Sequence, residues 1–237
     1  MLPGEMAYRM GDVAVELVPG TILGYEGDAF VMPCRLDMSV KNPIADVLNR
    51  PYENAGLNSK ALWPKQRNSS VEPYSAHVRE FLGKDGIDTM IYSACHLSRN
   101  HKYDPGISMF YSWECDAWKL GGRTITNIMK AADEHGVKAL GMPFIPEVFA
   151  HKRSPGYGER VVGSHFMNGL VHELLGLAKS ADPIKITMQY TNQDGWDVTV
   201  NAFEPIQNKS IEDVERKPHW LNLDGDGPLR TEYEFVL

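Results

Sequence analysis

The sequence predicts an α/β protein: a three-layer α/β/α sandwich around a mixed, mostly parallel central sheet. Short segments that are apolar at nearly every position alternate with two segments of helical, amphipathic periodicity. Strands that are apolar on both faces belong inside a sheet that is covered on both sides. The order strand, helix, strand, helix, strand over residues 88–190 also predicts right-handed crossovers. We therefore expect strands 29–34, 137–143 and 184–190 to be central.

The individual elements follow from local patterns. Strands are predicted at 13–18, 29–34, 88–94, 137–145, 184–190 and, from the alternation of "WDVTVNAF", at 196–203. A helix is predicted over 122–136, ending at Gly136, because glycine is favoured just after a helix. A second helix over 159–180 places its apolar residues on one face, which indicates that it packs on the sheet.

The chain length favours one domain over two. A chain of 237 residues can bury a substantial core. The predicted core spans about 13–190, with insertions near 36–75 and 96–120 and a C-terminal extension over 191–237. Long insertions in compact domains are often functional.

Composition excludes several classes of protein. With 24 Lys+Arg against 31 Asp+Glu, the net charge of −7 disfavours binding to a nucleic-acid backbone. The three cysteines, Cys34, Cys95 and Cys115, lack the spacing of a disulfide framework or a zinc site. We expect a cytoplasmic protein without a metal or cofactor. The sequence has neither a secretory signal nor a run of 18 apolar residues, so no membrane association is expected.

Five segments, taken in order, resemble the macro domain family. They are "VELVPGTI" (15–22), "GDAFVMPCR" (27–35), "DTMIYSA" (88–94), "IMKAADEHGVKALGMPFI" (128–145) and the final helix followed by "IKITMQY". The most persuasive part is an alanine-rich helix that ends in glycine and leads into an apolar strand ending in proline. The resemblance implies a macro-domain-like fold with insertions. It also implies binding of ADP-ribose or related nucleotides at the carboxyl ends of the strands.

Two motifs of that family are altered here. The family usually carries Gly-Asp-Ile, whose Asp reads the adenine amino group, where this chain has Gly20, Thr21 and Ile22. It usually has Asn-Ala-Ala-Asn where this chain ends its strand with Cys34 and Arg35. Arginine binds phosphate or carboxylate in a bidentate way but accepts no hydrogen bond, so hydrolysis by the usual route is not expected. Cys34 is a candidate nucleophile, although such cysteines are more often part of the core.

The phosphate-binding turn of the family is also changed. After strand 137–145, Pro146, Glu147 and Phe149 stand where a Ser-Thr-Gly-aromatic turn is usual. A carboxylate at that point repels phosphate. We expect Arg35 to lie at the mouth of the site and to pair with an acidic partner or a ligand anion, because a guanidinium at the end of a buried strand must be compensated. Glu147 is the nearest candidate partner by analogy with the family fold.

A basic, glycine-containing segment precedes the second predicted helix. It contains Lys152, Arg153, Gly156, Tyr157 and Gly158. Free N–H groups and the dipole at a helix N-terminus attract anions, so the phosphate-binding role is predicted to lie here. The alternative is a solvated basic loop with a Pro-Gly turn.

Three functions remain open on the sequence. The first is binding of a small anionic ligand, a nucleotide or an ADP-ribose-like molecule. The second is a protein-interaction or scaffold module whose pocket has degenerated, with a protein as its partner. The third is a hydrolase with a rebuilt site acting on an ADP-ribose or nucleotide derivative. Whether the protein is an enzyme stays open, because fold does not fix function.

Overall fold

The computed structural model describes residues 4–20, 25, 27–35, 75–82, 87–96, 109–145 and 163–206. Seven strands lie in these segments: β1 (Met6–Met10), β2 (Val13–Pro19), β3 (Ala29–Arg35), β4 (Ala76–Leu82), β5 (Ile87–His96), β6 (Ala139–Pro143) and β7 (Ile184–Tyr190). The same segments contain the helices α1 (Met109–Glu134), α2 (Gly163–Leu177) and α3 (Gln193–Phe203), followed by a 3-10 turn at Glu204–Ile206. No helix in these segments is long and apolar enough to cross a membrane.

The seven strands form one sheet in the order β1-β2-β7-β6-β3-β5-β4. The outer pairs β1–β2 and β4–β5 are antiparallel, and the four inner pairs are parallel. The predicted mixed, mostly parallel α/β sandwich is therefore confirmed. The predicted central position of β7, β6 and β3 is also confirmed, since these three strands occupy the middle of the order.

One face of the sheet forms the main hydrophobic core. The strand register places a set of fully or almost fully buried apolar side chains on this face: Val13, Val15, Leu17, Ile186, Met188, Leu140, Met142, Val31 and Ile91. The apolar residues of all three helices belong to the same cluster. Burial of this kind contributes about 25 cal/mol per Å² of apolar surface, so the side chains packed on this face stabilise the fold.

Helices α1 and α2 pack against each other through glycine. A Cβ atom at Gly121 would overlap the backbone oxygen of Phe166, and one at Gly169 would overlap the backbone oxygen of Trp118. The two helix backbones therefore approach more closely than any larger residue at these positions would permit. Glycine is costly within a helix, and close packing offsets that cost here.

The end of α1 is where glycine was predicted to stop the helix. Gly136 has a φ of 65°, in the left-handed region that favours glycine. The N–H of Gly136 donates to the oxygen of Asp133 at 3.0 Å, and the N–H of Val137 donates to that of Ala132 at 2.9 Å. These bonds satisfy carbonyl groups at the helix end and direct the chain into β6.

The predicted strand at 196–203 is wrong, because these residues belong to α3. Asn192 starts the helix: its side chain accepts a hydrogen bond from the N–H of Gly195 at 2.7 Å. Trp196 and Phe203 are seven residues apart on the buried side, a helical spacing. The alternation of this segment was thus not evidence of a strand, and contact with the core selects the helix.

Two further differences from the prediction concern the start of helix α1 and the edge strands of the sheet. Helix α1 begins at Met109, so residues 109–120, expected to lie in an insertion, are helical. The edge strands β1 and β4 lie outside the predicted set, since their short, partly exposed sequences carry a weaker apolar pattern. The segment 36–74 and the residues after 206 lie outside the described residues, so the proposed domain boundaries stay a prediction.

Candidate functional site

The parallel strands bring five chain segments to one edge of the sheet. Their carboxyl ends are Pro19 in β2, Tyr190 in β7, Pro143 in β6, Arg35 in β3 and His96 in β5. In open α/β sheets, ligands bind outside the carboxyl ends of the strands. This edge is therefore the candidate functional site.

Gly20 determines how the chain leaves β2. Its N–H donates to the backbone oxygen of Tyr190 at 2.9 Å, which extends the pairing of β2 with β7 by one residue. Its φ of 142° is a backbone angle that residues other than glycine rarely adopt. The segment that begins with Thr21 and Ile22 therefore starts at the sheet edge, although these two residues lie outside the described part of the chain.

The exit of β6 is held by backbone and aromatic contacts. The N–H of Phe144 donates to the backbone oxygen of Gln189 at 3.1 Å. The ring of Phe144 lies 5.5 Å from that of Tyr190, which in turn meets Trp196 edge-on at 5.8 Å between ring centres. These contacts fix the first residues of the loop after β6 against the start of α3.

The end of β3 carries two of the predicted site residues. The backbone of Arg35, the last residue of β3, pairs with that of His96. Before this pair the register shifts: Cys34 on β3 faces two residues, 94–95, on β5. An irregularity of this kind increases the local twist and redirects side chains near functional sites. Cys34 and Arg35 thus lie at the candidate edge, and their roles there stay predictions.

The sheet face opposite the main core carries polar side chains beside apolar ones such as the fully buried Met32, and it is called the polar face below. Glu16, Gly141 and Thr187 lie on this face by register. The ring of Tyr25 lies over Gly141, where a Cβ atom would come within 2.5 Å of it, and the Tyr25 hydroxyl hydrogen-bonds Thr187. Burial first, and then the negative charge of Asp28, raise the pKa of Tyr25 to about 12. The hydroxyl of Tyr25 is therefore protonated at neutral pH and serves as a packing and hydrogen-bonding group.

The charged groups in the amino half of this face have partners. Lys185 Nζ lies 2.8 Å from Glu16 Oε2. Asp28 Oδ2 accepts hydrogen bonds from the backbone N–H groups of Lys138 at 2.7 Å and Ala139 at 2.8 Å. These contacts join the β2, β6 and β7 strands and the turn before β3, so we assign them to the architecture of the sheet.

The carboxyl half of the same face contains a polar group that the sequence analysis missed. Gln189 is 9% exposed, and its side-chain oxygen Oε1 has no hydrogen-bond partner in the described structure. Buried polar atoms are normally satisfied. Within the described residues, Trp118 Nε1 and Thr124 Oγ1 also lack a hydrogen-bond partner, but both belong to α1, whereas Gln189 lies near the carboxyl end of a strand. The available signal was a glutamine within the otherwise apolar end of "IKITMQY".

Most of the predicted site residues lie outside the described part of the chain. They are Thr21, Ile22, Pro146, Glu147, Phe149, Lys152, Arg153, Gly156, Tyr157 and Gly158. The predicted pairing of Arg35 with Glu147 therefore stays a prediction.

A second polar surface lies between β4 and the end of α1. It is a shallow depression lined by His77, Glu80, Glu134 and His135, among others. His77 Nε2 lies 2.9 Å from the hydroxyl of Ser75, and Nδ1 of His135 is within 2.9 Å of a backbone oxygen one turn earlier. Across the described segments, no group of three or more His, Cys, Asp or Glu side chains is placed to hold a metal ion.

Comparison with known proteins identifies the fold. No protein-family model and no curated protein sequence matches this chain. Among solved structures, a variant of the Oceanobacillus iheyensis macrodomain matches with a TM-score of 0.63 and 11% identity, covering 90% of this chain and 100% of that chain. The same macrodomain with ADP matches at 0.62 and 9% identity, covering 89% and 98%. A Trypanosoma brucei macrodomain in complex with ADP matches at 0.52 and 8% identity, covering 79% and 68%.

The strand order and the position of the strand ends define an α/β sandwich. Its candidate ligand-binding site lies at the carboxyl ends of the parallel strands. Within that class, the chain has the macro-domain fold, with a strongly diverged sequence. The resemblance noted in the sequence is therefore confirmed at the level of the fold.

Proposed function

We propose that this protein binds ADP-ribose or a related anionic nucleotide at the carboxyl edge of its sheet. The observation that carries the proposal is the convergence of β2, β3, β6 and β7 on that edge within a macro-domain fold. Two solved structures with this fold, from Oceanobacillus iheyensis and Trypanosoma brucei, are described as containing ADP.

The segment before α2 is the proposed phosphate contact. Lys152 and Arg153 supply positive charge, and Gly156 and Gly158 allow backbone N–H groups to approach an anion closely. A local basic segment is needed because the protein as a whole is acidic, with a net charge of −7.

Binding without hydrolysis is the form of this function that the sequence supports best. Thr21 and Arg35 replace the carboxylate and the amide that the family usually carries at these positions. Neither threonine nor arginine has a carboxylate or amide oxygen that could accept a hydrogen bond from the ligand. A guanidinium at the end of β3 is instead suited to an anion.

Isothermal titration with ADP-ribose tests the proposal. The double variant Lys152→Ala, Arg153→Ala should bind more weakly, by about 1.5–3 kcal/mol for each charged hydrogen bond lost and less where the groups are solvated. The control is Lys130→Ala, Lys179→Ala, which removes the same charge from two exposed positions on α1 and after α2. Added salt should weaken binding by the wild type more than by the Lys152, Arg153 double variant.

Two results would contradict the proposal at different levels. Equal affinities for wild type and the Lys152, Arg153 variant would remove that segment from the phosphate site. No binding by the wild type of ADP-ribose, ADP or other nucleoside phosphates would reject nucleotide binding, and the interaction module would then be the preferred function.

A further inference from the structure

The side-chain oxygen of Gln189 has no hydrogen-bond donor among the described residues, which marks it as a candidate ligand contact. Gln189 lies in β7, in the carboxyl half of the sheet, and is 9% exposed. Its backbone oxygen accepts from the N–H of Phe144 at 3.1 Å, so the main chain is satisfied. Its side-chain Oε1 has no donor within the structure described.

The register shows which way this side chain faces. Gln189 is two residues after Thr187, so both lie on the polar face, on the side of Tyr25. Its neighbours across the sheet are Val18 on β2 and Pro143 on β6. Neither of these side chains has a hydrogen-bond donor. The strands beside Gln189 therefore cannot satisfy its oxygen.

An apolar residue at this position would be better for folding alone. A buried polar group without a partner is destabilising, and an apolar group of the same shape removes that cost. The other buried positions late in β7, Met188 and Tyr190, serve the core on the opposite face. Within the described residues, the Oε1 atom of Gln189 therefore lowers stability unless a ligand supplies a donor.

We propose that Gln189 is a specificity-determining residue whose Oε1 accepts a hydrogen bond from the nucleoside part of the bound nucleotide. This inference rests on the proposed function. An amide oxygen is attracted to N–H and O–H donors and repels a phosphate oxygen, so the contact lies on the base or the ribose. The shared chemistry is a hydrogen-bond donor, which is either an amino group of the base or a hydroxyl of the ribose. Glutamine is well suited to adenine, since its amide can accept from the amino group while donating to a ring nitrogen.

The test compares Gln189→Met with wild type in two measurements. The first is the melting temperature of the ligand-free protein, which should rise by roughly 2–12 °C because the unsatisfied oxygen is removed. The second is the affinity for ADP-ribose by isothermal titration, which should fall roughly tenfold because the ligand donor loses its acceptor. Gln193→Met is the control: it makes the same change at an exposed residue whose amide donates to Asp197 at 2.7 Å, and it should leave the affinity unchanged.

Modified ligands distinguish the two kinds of donor. ADP is compared with the purine nucleoside diphosphate that lacks the 6-amino group, and with 2′-deoxy-ADP. If Oε1 accepts from the base, loss of the amino group should weaken binding by wild type but not by Gln189→Met. If Oε1 accepts from the ribose 2′-hydroxyl, 2′-deoxy-ADP should bind wild type more weakly than ADP does, and Gln189→Met should bind both ligands equally.

Each outcome decides something. A higher melting temperature with weaker binding, and coupling to one of the two ligand groups, supports the inference. Wild type and variant binding equally well would overturn it and leave nucleotide binding intact. A lower melting temperature for Gln189→Met, or no coupling to either ligand group, would also overturn it. Failure of the wild type to bind any of these ligands would instead reject the proposed function, and the inference with it.

Discussion

Gly121 and Gly122 are adjacent in α1, yet the structure predicts opposite effects when each is replaced by alanine. A Cβ atom at Gly121 would overlap the backbone oxygen of Phe166 and lie 2.9 Å from the backbone nitrogen of Leu170. At Gly122 the nearest atoms are the backbone oxygen of Gly169 at 3.5 Å and Glu173 Cβ at 3.6 Å. The first position has no room for a methyl group, and the second has ordinary van der Waals contacts.

The magnitudes follow from two opposing terms. Replacing glycine by alanine within a helix gains about 1 kcal/mol at either position. Overpacking costs about 1–3 kcal/mol, and the upper value applies at Gly121 because the obstructing atoms are backbone and cannot rotate away. Gly121→Ala should therefore destabilise by about 2 kcal/mol and Gly122→Ala should stabilise by about 1 kcal/mol. The difference of about 3 kcal/mol corresponds to melting temperatures about 6–12 °C apart.

The assay is urea unfolding followed by circular dichroism, with thermal unfolding as a second measurement. Both variants should give the same dependence on urea as wild type, so that the shift in midpoint reports stability alone. Gly169→Ala, whose Cβ atom would overlap the backbone of Trp118, should behave like Gly121→Ala. If Gly121→Ala proved as stable as wild type, helices α1 and α2 would not pack at the distance described here.

Two further predictions concern the polar face of the sheet. Because the pKa of Tyr25 is raised from 10 in the unfolded chain to about 12 in the fold, its contribution is fully present below pH 10 and is lost as the pH rises to about 12. Unfolding measured from pH 8.5 to 12 should show this loss in wild type and a smaller loss in Tyr25→Phe; identical profiles would show that Tyr25 is not responsible. Asp28→Ala should destabilise by about 1–2 kcal/mol, since Oδ2 bonds the N–H groups of Lys138 and Ala139. Asp28→Asn, which retains an acceptor, should lose less in the same urea experiment, and equal losses would contradict this assignment.

The central strands could be predicted because their apolar sequences identify them without knowledge of the surrounding fold. "AFVMPC" and "IKITMQY" are apolar at almost every position, and such segments are stable only inside a covered sheet. Gly136 likewise indicated the end of α1, since its left-handed backbone is a local property. The alternation of 196–203 was misleading because α3 is selected by its cap at Asn192 and by its contact with the core.

The candidate site was less predictable than the fold. The sequence pointed to the carboxyl edge, and the structure places Cys34 and Arg35 there as the end of β3. Gln189 was overlooked because a glutamine in a strand becomes unusual only when its face, its neighbours and its missing partner are known. The face of Gln189, its neighbours and its missing partner all depend on residues that are distant from it in the sequence.

The sequence by itself determined the α/β class, the central strands and the acidic surface charge. These depend on the order and composition of residues close together in the chain. Only the tertiary structure decided the strand order, the close approach of α1 and α2 at Gly121, and the isolation of the Gln189 oxygen. Each of these is a relation between groups separated by tens of residues, and packing rather than local propensity determines which of them meet.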